Sequence, residues 1–310
     1  MHITLLLFLM LVFFIILGSF YAYKTAFQAP TPGAELNELP SGEAYKPHME
    51  TIRQCVADMK ALPCTECSVL SHDGLKLFGR LYQGQKSAPV HLMFHGYKSN
   101  AFLDSCGGGK LALSLGHNVI LTDQRAHGKS QGKTISFGIK ERFDVLTWLE
   151  FIKETFGADT PVFLWGLSMG ASTVLMSTSL GLSENVVGIL ADCPFSSPKE
   201  IIQKVCRDLH FPAKLVYPFV WLGALLFGGF ALEECTVITA LKQNRIPVLL
   251  FHGQADGFVP CEMSEKIKEA CPDLITLELI PEADHGLCYM VAPERYQKAV
   301  LSFIQKQWKK

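Results

Sequence analysis

Gly166-Leu167-Ser168-Met169-Gly170 follows an apolar run ending at Trp165 and precedes a helical pattern, ASTVLMSTSL. A serine flanked by two glycines at a strand-to-helix turn is a nucleophile held clear of the chain. The turn is too tight for neighbouring side chains, and the serine itself takes a strained backbone conformation. Ser168 would stand at a helix N-terminus, where free amide N–H groups favour developing negative charge. A hydroxyl of this kind needs a base, and the base needs an acid to orient it. Downstream of such a turn the order is acid, then histidine. Asp256 lies just past the apolar run 248–251, and His285 just past the run 275–280. Asp192 ends another run and is the rival acid, and Asp284 adjoins His285 and is expected to point elsewhere. The oxyanion would be met by the N–H of Met169 and by that of Tyr97, in His95-Gly96-Tyr97 after the run 90–94. Gly96 permits the backbone turn there, and His95 is expected to support the loop.

These residues need a frame. Runs at 67–70 and 75–82 flank Asp73-Gly74, a hairpin signal. Further runs at 90–94, 119–122, 162–165, 186–191, 248–251 and 275–280 are apolar at nearly every position. That pattern suits strands buried on both faces of a mostly parallel sheet. Between 139 and 156, Ile139, Phe143, Leu146, Leu149, Ile152 and Phe156 recur at helical steps, and 293–308 reads as a terminal helix. Strand–helix alternation after a hairpin predicts an α/β sheet covered on both faces. Cys106-Gly107-Gly108-Gly109-Lys110 lacks P-loop spacing and reads as a loop or a break before a helix.

The chain has 310 residues, 28 Lys+Arg against 29 Asp+Glu, 18% charged residues and 49% hydrophobic ones. Such a balance excludes a nucleic-acid surface, which requires a basic excess. It is too apolar for disorder. Residues 3–17 read ITLLLFLMLVFFIIL, and the apolar stretch continues to Tyr23 before Lys24. Its length and its terminal tyrosines fit a membrane-spanning helix, and it lacks the basic start and cleavage site of a signal peptide. The organisation expected is therefore an anchor at 1–23, a Pro/Gly/Glu-rich linker at 24–50 that tethers rather than packs, and a catalytic domain at 51–310. Ten cysteines show no disulfide framework, and the single C-x-x-C, Cys64 and Cys67, has no second pair for zinc. Scattered thiols and Lys24 beyond the anchor point to a catalytic domain on the cytoplasmic side.

About fifty residues separate the run ending near Ala191 from the next, more than a crossover requires. Within them, 215–232 reads LVYPFVWLGALLFGGFAL. A second membrane span, a core helix and a cap over a pocket are the readings, and the cap, at about 196–244, is preferred.

FHGY (94–97), TDQRAHGKSQG (122–132), GLSMG (166–170), ADCPF (191–195), HGQADGFVP (252–260) and ADHG (283–286) together resemble the alpha/beta-hydrolase superfamily, across roughly 67–308. The likeness is greatest to its bacterial lysophospholipase-like and serine-aminopeptidase-like members. It implies a mostly parallel sheet with helices on both faces and a small helical cap. It also implies Ser168 as nucleophile, Asp256 as acid, His285 as base, and Tyr97 and Met169 as oxyanion donors. Asp123, Arg125, His127, Gly128 and Ser130 match the family's D-x-R-x-H-G-x-S loop, read as a brace. The expected activity is a serine hydrolase acting on an ester, thioester or amide, without cofactor or metal. Its expected partners are a small-molecule or lipid acyl substrate, delivered from the bilayer, and the membrane. Oligomeric state is left open. An aminopeptidase-like peptidase, with Glu233-Glu234 as an amine cue, and a non-catalytic scaffold are the alternatives.

Overall fold

A computed structural model describes residues 2–29 and 42–308. Eight strands form one sheet: β1 (Thr65–Leu70), β2 (Lys76–Tyr82), β3 (Val90–Phe94), β4 (Asn118–Asp123), β5 (Val162–Leu167), β6 (Val186–Asp192), β7 (Val248–Gly253) and β8 (Ile275–Ile280). Their order is β1-β2-β4-β3-β5-β6-β7-β8. β1 and β2 pair antiparallel, β2 pairs antiparallel with β4, and every later pairing is parallel. The two-residue side-chain period sorts the core. Val90, Leu92, Val162, Leu164, Val248 and Leu250 face one layer, and Met93, Phe163, Trp165, Leu249 and Phe251 the other.

The twelve α-helices among the described residues are α1 (His2–Ala26), α2 (Met49–Ala61), α3 (Ala101–Asp104), α4 (Cys106–Ser114), α5 (Glu141–Phe156), α6 (Met169–Ser177), α7 (Pro198–Asp208), α8 (Ala213–Gly223), α9 (Val237–Leu241), α10 (Glu262–Ala270), α11 (Cys288–Val291) and α12 (Pro293–Gln307). Core residues of α5, α6, α9 and α10 cover one face; those of α2, α3, α4, α11 and α12 cover the other. The fold is therefore the mostly parallel, doubly covered sheet that the strand pattern predicts, with the alpha/beta-hydrolase architecture that the resemblance implies.

Three expectations change. The glycine-rich segment at 106–110 is not a break but the first turn of α4. Its glycines are there because the helix lies flat on the sheet: a Cβ on Gly107 would collide with the Tyr289 ring, and one on Gly108 with the Trp165 ring. Secondly, the stretch 24–50 packs at both its ends. α1 continues to Ala26, Phe27 and Ala29 are buried, and Gln28 bridges Thr134. At the other end a 3₁₀ turn, Glu43–His48, leads into α2. The middle of the expected linker, 30–41, lies outside the described residues. Thirdly, the insertion at 196–244 is only partly cap. α7 and α8 stand over the site and a π-helical turn (Ala224–Gly228) continues α8 against α1, whereas α9 packs on α6 and α10 as a covering helix of the sheet.

The segment 215–232 is no second span. α8 and its π turn end where Gly229 takes φ +65°. Among the described residues only α1 is long and apolar enough to cross a membrane. α1 and α8 pack along each other. A Cβ on Gly223 would strike the Ser19 carbonyl, and one on Gly18 would sit 3.0 Å from the Phe219 ring.

Candidate active site

Ser168 follows β5 and begins α6 with φ +54°, in the left-handed region that an L side chain rarely occupies. Its flanking glycines are required by contact. A Cβ on Gly166 would overlap the Gly170 backbone, and one on Gly170 would overlap the Phe94 carbonyl. The Ser168 Oγ lies 3.0 Å from His285 Nε2, and His285 Nδ1 lies 2.8 Å from Asp256 Oδ2. An ionised carboxylate only accepts, which fixes the direction of the relay: Nδ1–H donates to the carboxylate, which leaves Nε2 to accept from the hydroxyl.

The loop after β7 holds Asp256. Its Oδ1 accepts from the N–H groups of Phe258 (2.9 Å) and Val259 (2.7 Å). His252 Nε2 lies 3.2 Å from Oδ2, a supporting contact that spacing alone did not reveal. Burial by itself would raise the Asp256 carboxyl, but His252 and His285 outweigh it and hold the group well below the usual carboxylate range. Asp284 turns away from the imidazole and accepts from Gly257 N (2.9 Å) and His285 N (2.7 Å), tying the acid and base loops together. Asp192, the rival acid, is buried beneath the site and is pushed up by that burial, offset in part by the Cys288 thiol. The structure pairs His285 with Asp256, not with Asp192.

The loop after β3 carries Tyr97. Gly96 N–H donates to Asp104 Oδ2 (2.6 Å), and Ser99 Oγ donates to Asp104 Oδ1 (2.7 Å). Asp104 thus holds the loop from below, a role unseen in the sequence because α3 is one short turn. Its carboxyl is raised to about 6 by burial, against the lowering effect of those two donors. His95 supports the same loop. It donates Nδ1–H to Gly96 O (2.8 Å) and accepts from Gln124 N at Nε2 (3.0 Å). Burial keeps it neutral, at about 4. Met169 is the first residue of α6, so its N–H has no place in the intrahelical ladder.

The loop after β4 is a brace. His127 accepts from Lys98 N (3.1 Å), and Asp123 pairs with Arg80 (2.9 Å) and accepts from Lys129 N (3.0 Å). Gly128 takes φ +51°, with Asp123 packed where a Cβ would be. Ser130 Oγ donates to Asp123 O (2.5 Å) and accepts from Phe78 N (2.8 Å). Arg125 joins Asp144 of α5 (2.6 Å) to Asp73 of the β1–β2 turn (2.8 Å).

Ser168 lies between two cavities. One, of about 640 Å³, runs under α7 and α8 and has no charged side chain in its lining. The other, of about 330 Å³, is lined by Tyr45, Lys98, Ser99 and Asp104 as well as by apolar groups. Tyr45 donates its hydroxyl to His285 O (2.7 Å), a contact from the expected linker that the sequence did not announce. Glu233 pairs with Lys199 (2.6 Å) and Glu234 with Arg142 (2.5 Å), and neither lines a cavity beside Ser168.

Cys193, Asp256 and His285 present donor atoms within 4.8 Å of one another, close enough to hold a metal ion. Both nitrogens of His285 are already engaged by Asp256 and Ser168, and burial raises the Cys193 thiol, which opposes the thiolate a metal needs.

A family model described as alpha/beta hydrolase fold matches residues 92–234. The YqkD protein of Bacillus subtilis (strain 168) is 27% identical over 214 residues, covering 69% of this chain and 70% of that protein. The lysophosphatidylserine lipase ABHD12 of Danio rerio is 27% identical over 198 residues, covering 59% of this chain and 47%, under half, of that protein. The esterase Pf2001 of Pyrococcus furiosus superposes with a TM-score of 0.65 at 20% identity, covering 89% of this chain and 98% of the esterase. With the sheet order, the strained serine turn and the matched family model in agreement, the chain has the alpha/beta-hydrolase fold.

Proposed function

We propose that this protein is a membrane-anchored serine hydrolase that cleaves an ester, thioester or amide of a lipophilic acyl substrate. The observation that carries the reading is the hydrogen-bonded relay from Ser168 through His285 to Asp256 at the edge of an uncharged cavity of about 640 Å³. Ser168 Oγ attacks the acyl carbonyl carbon while His285 Nε2 takes its proton. The N–H groups of Tyr97 and Met169 receive the oxyanion. His285 then protonates the leaving group, whose bond to the acyl carbon breaks. Water attacks the acyl-enzyme with His285 again as base, releasing the acid and restoring Ser168.

The anchor is α1, whose apolar span supports membrane insertion. Lys24 past that span and the ten unpaired cysteines support a cytoplasmic catalytic domain. The lysophospholipase-like branch is favoured over the aminopeptidase-like one, because Glu233 and Glu234 are held in ion pairs away from Ser168. A non-catalytic scaffold would not require the relay.

A fluorophosphonate probe tests the reading. The wild-type protein is expected to label, and Ser168→Ala to lose labelling and ester turnover by at least a thousandfold. Absence of Ser168-dependent labelling in folded protein would support the scaffold instead.

A further inference from the structure

We propose that α1 is one wall of the acyl-binding site, and that the acyl chain of a membrane lipid reaches Ser168 sideways from the bilayer, along the cavity that α1 encloses with α7 and α8. This rests on the serine-hydrolase reading above and goes beyond it, since an anchor alone would have no part in binding.

Six residues of α1 line the large cavity: Phe14, Gly18, Tyr21, Ala22, Thr25 and Ala26. Their spacing of four, three, one, three and one places them on a single helical face. The helix is otherwise apolar all round, so this face is selected by what it packs against and not by its own pattern. α7 and α8 form the opposite wall, and Ser168 and Met169 lie at the inner end. From residue 14 to residue 26 the lined face runs about 18 Å at the helical rise, over half of a hydrocarbon core of about 30 Å.

The inner end of α1 is also fixed to the oxyanion loop. Tyr97 donates its hydroxyl to Ala26 O (2.8 Å), and Lys98 Nζ reaches Thr25 O (3.5 Å). These are carbonyls of the last helical turn, which otherwise lack partners and attract a cation. Tyr23 Oη meets Thr134 Oγ1 (2.8 Å), and Phe27 is buried beyond it. A movable tether would need none of these contacts.

The cap beside this cavity faces lipid. Leu215, Leu225 and Leu226 of the cap are exposed, on a molecule whose α1 is exposed along most of its length. Since α8 packs on the half of α1 nearest the catalytic domain, this cap surface lies at the depth of that half. The occupant that fits is a single acyl chain: the cavity is uncharged, continuous with Ser168 and of ligand size, and the polar cavity across Ser168 takes the leaving group.

The test uses the full chain in phosphatidylcholine nanodiscs and compares kcat/KM for nitrophenyl palmitate and nitrophenyl butyrate. Ala22→Trp, which fills the cavity from α1, is expected to lower the palmitate-to-butyrate ratio at least tenfold. Phe14→Ala, which opens its outer end, is expected to shift the ratio severalfold in favour of palmitate. Leu9→Trp, on α1 but outside the cavity, is expected to leave it unchanged. Thermal unfolding checks each variant, and if Ala22→Trp does not fold, Phe14→Ala decides. Ratios within twofold of wild type for the folded cavity variants, with butyrate turnover intact, overturn the wall. Loss of all Ser168-dependent turnover in the wild type overturns the hydrolase reading and this inference with it.

Discussion

At the scale of single residues, the proposed relay depends on which nitrogen of His285 carries the proton, and Asp256 sets that. Asp256→Asn replaces an acceptor by a group that stabilises the wrong tautomer, so kcat is expected to fall about 10⁴-fold. Asp192→Asn, which does not touch the imidazole, is expected to cost under tenfold; steady-state kinetics on a short ester would compare the two. Asp104 makes a separate prediction. Its carboxyl is raised to about 6 by burial, above an ordinary value near 3.8. The folded protein therefore holds this proton more tightly than the unfolded chain. The stability it gives is full below about pH 4 and is lost as pH rises to about 6, of order 2–3 kcal/mol. Asp104→Asn is expected to flatten the dependence of Tm on pH in that window. Asp144, also raised to about 6 by burial, keeps part of the slope. An unchanged slope would show that Asp104 does not titrate there.

At the scale of elements, Arg125 joins α5 to the β1–β2 turn through two carboxylates. Removing it leaves Asp144 buried without its counter-charge. Arg125→Ala is expected to cost about 3–5 kcal/mol in thermal or denaturant unfolding, while any folded fraction keeps Ser168 labelling. A loss below 1 kcal/mol would mean the loop after β4 is not a brace. The elements were unequally legible. Strands showed because residues buried on both faces are apolar at consecutive positions. The site loops showed because each follows such a run, which is why Ser168, Asp256 and His285 could be picked as a set. α4 was hidden because three glycines lower helix propensity, and the Tyr289 and Trp165 rings explain only Gly107 and Gly108. Tyr45 was hidden because its contact with His285 crosses the fold, whereas His252 and Asp104 meet partners four and eight residues away through loop turns that no periodicity announces. α1 gave length and hydropathy but no face, since a helix apolar all round has no preferred side.

At the scale of the whole molecule, α1, the α7–α8 segment and the sheet with its covering helices form one packed body. Phe27 is buried in the core and α1 lies along α8, so cutting the chain after residue 26 would uncover apolar surface on the remaining protein. The cap surface adds a further expectation. Leu226 is 54% exposed and lines neither cavity beside Ser168. Leu226→Glu puts a charge where the cap is taken to meet lipid. It is expected to slow turnover of a vesicle-embedded long-chain ester several-fold and to spare a soluble short ester. Equal effects on both would place that face in water.

The wall that α1 gives the large cavity also bears on how the protein behaves in surfactant. Any single-chain surfactant is chemically the same kind of object as the proposed occupant, an apolar tail with a polar end. Micelles used to extract the protein would load the groove between α1 and α8 with their own monomers. The apparent KM for a long-chain substrate would then rise in proportion to free surfactant, as for a competitive inhibitor, and bulky sterol-based surfactants would inhibit less than straight-chain ones.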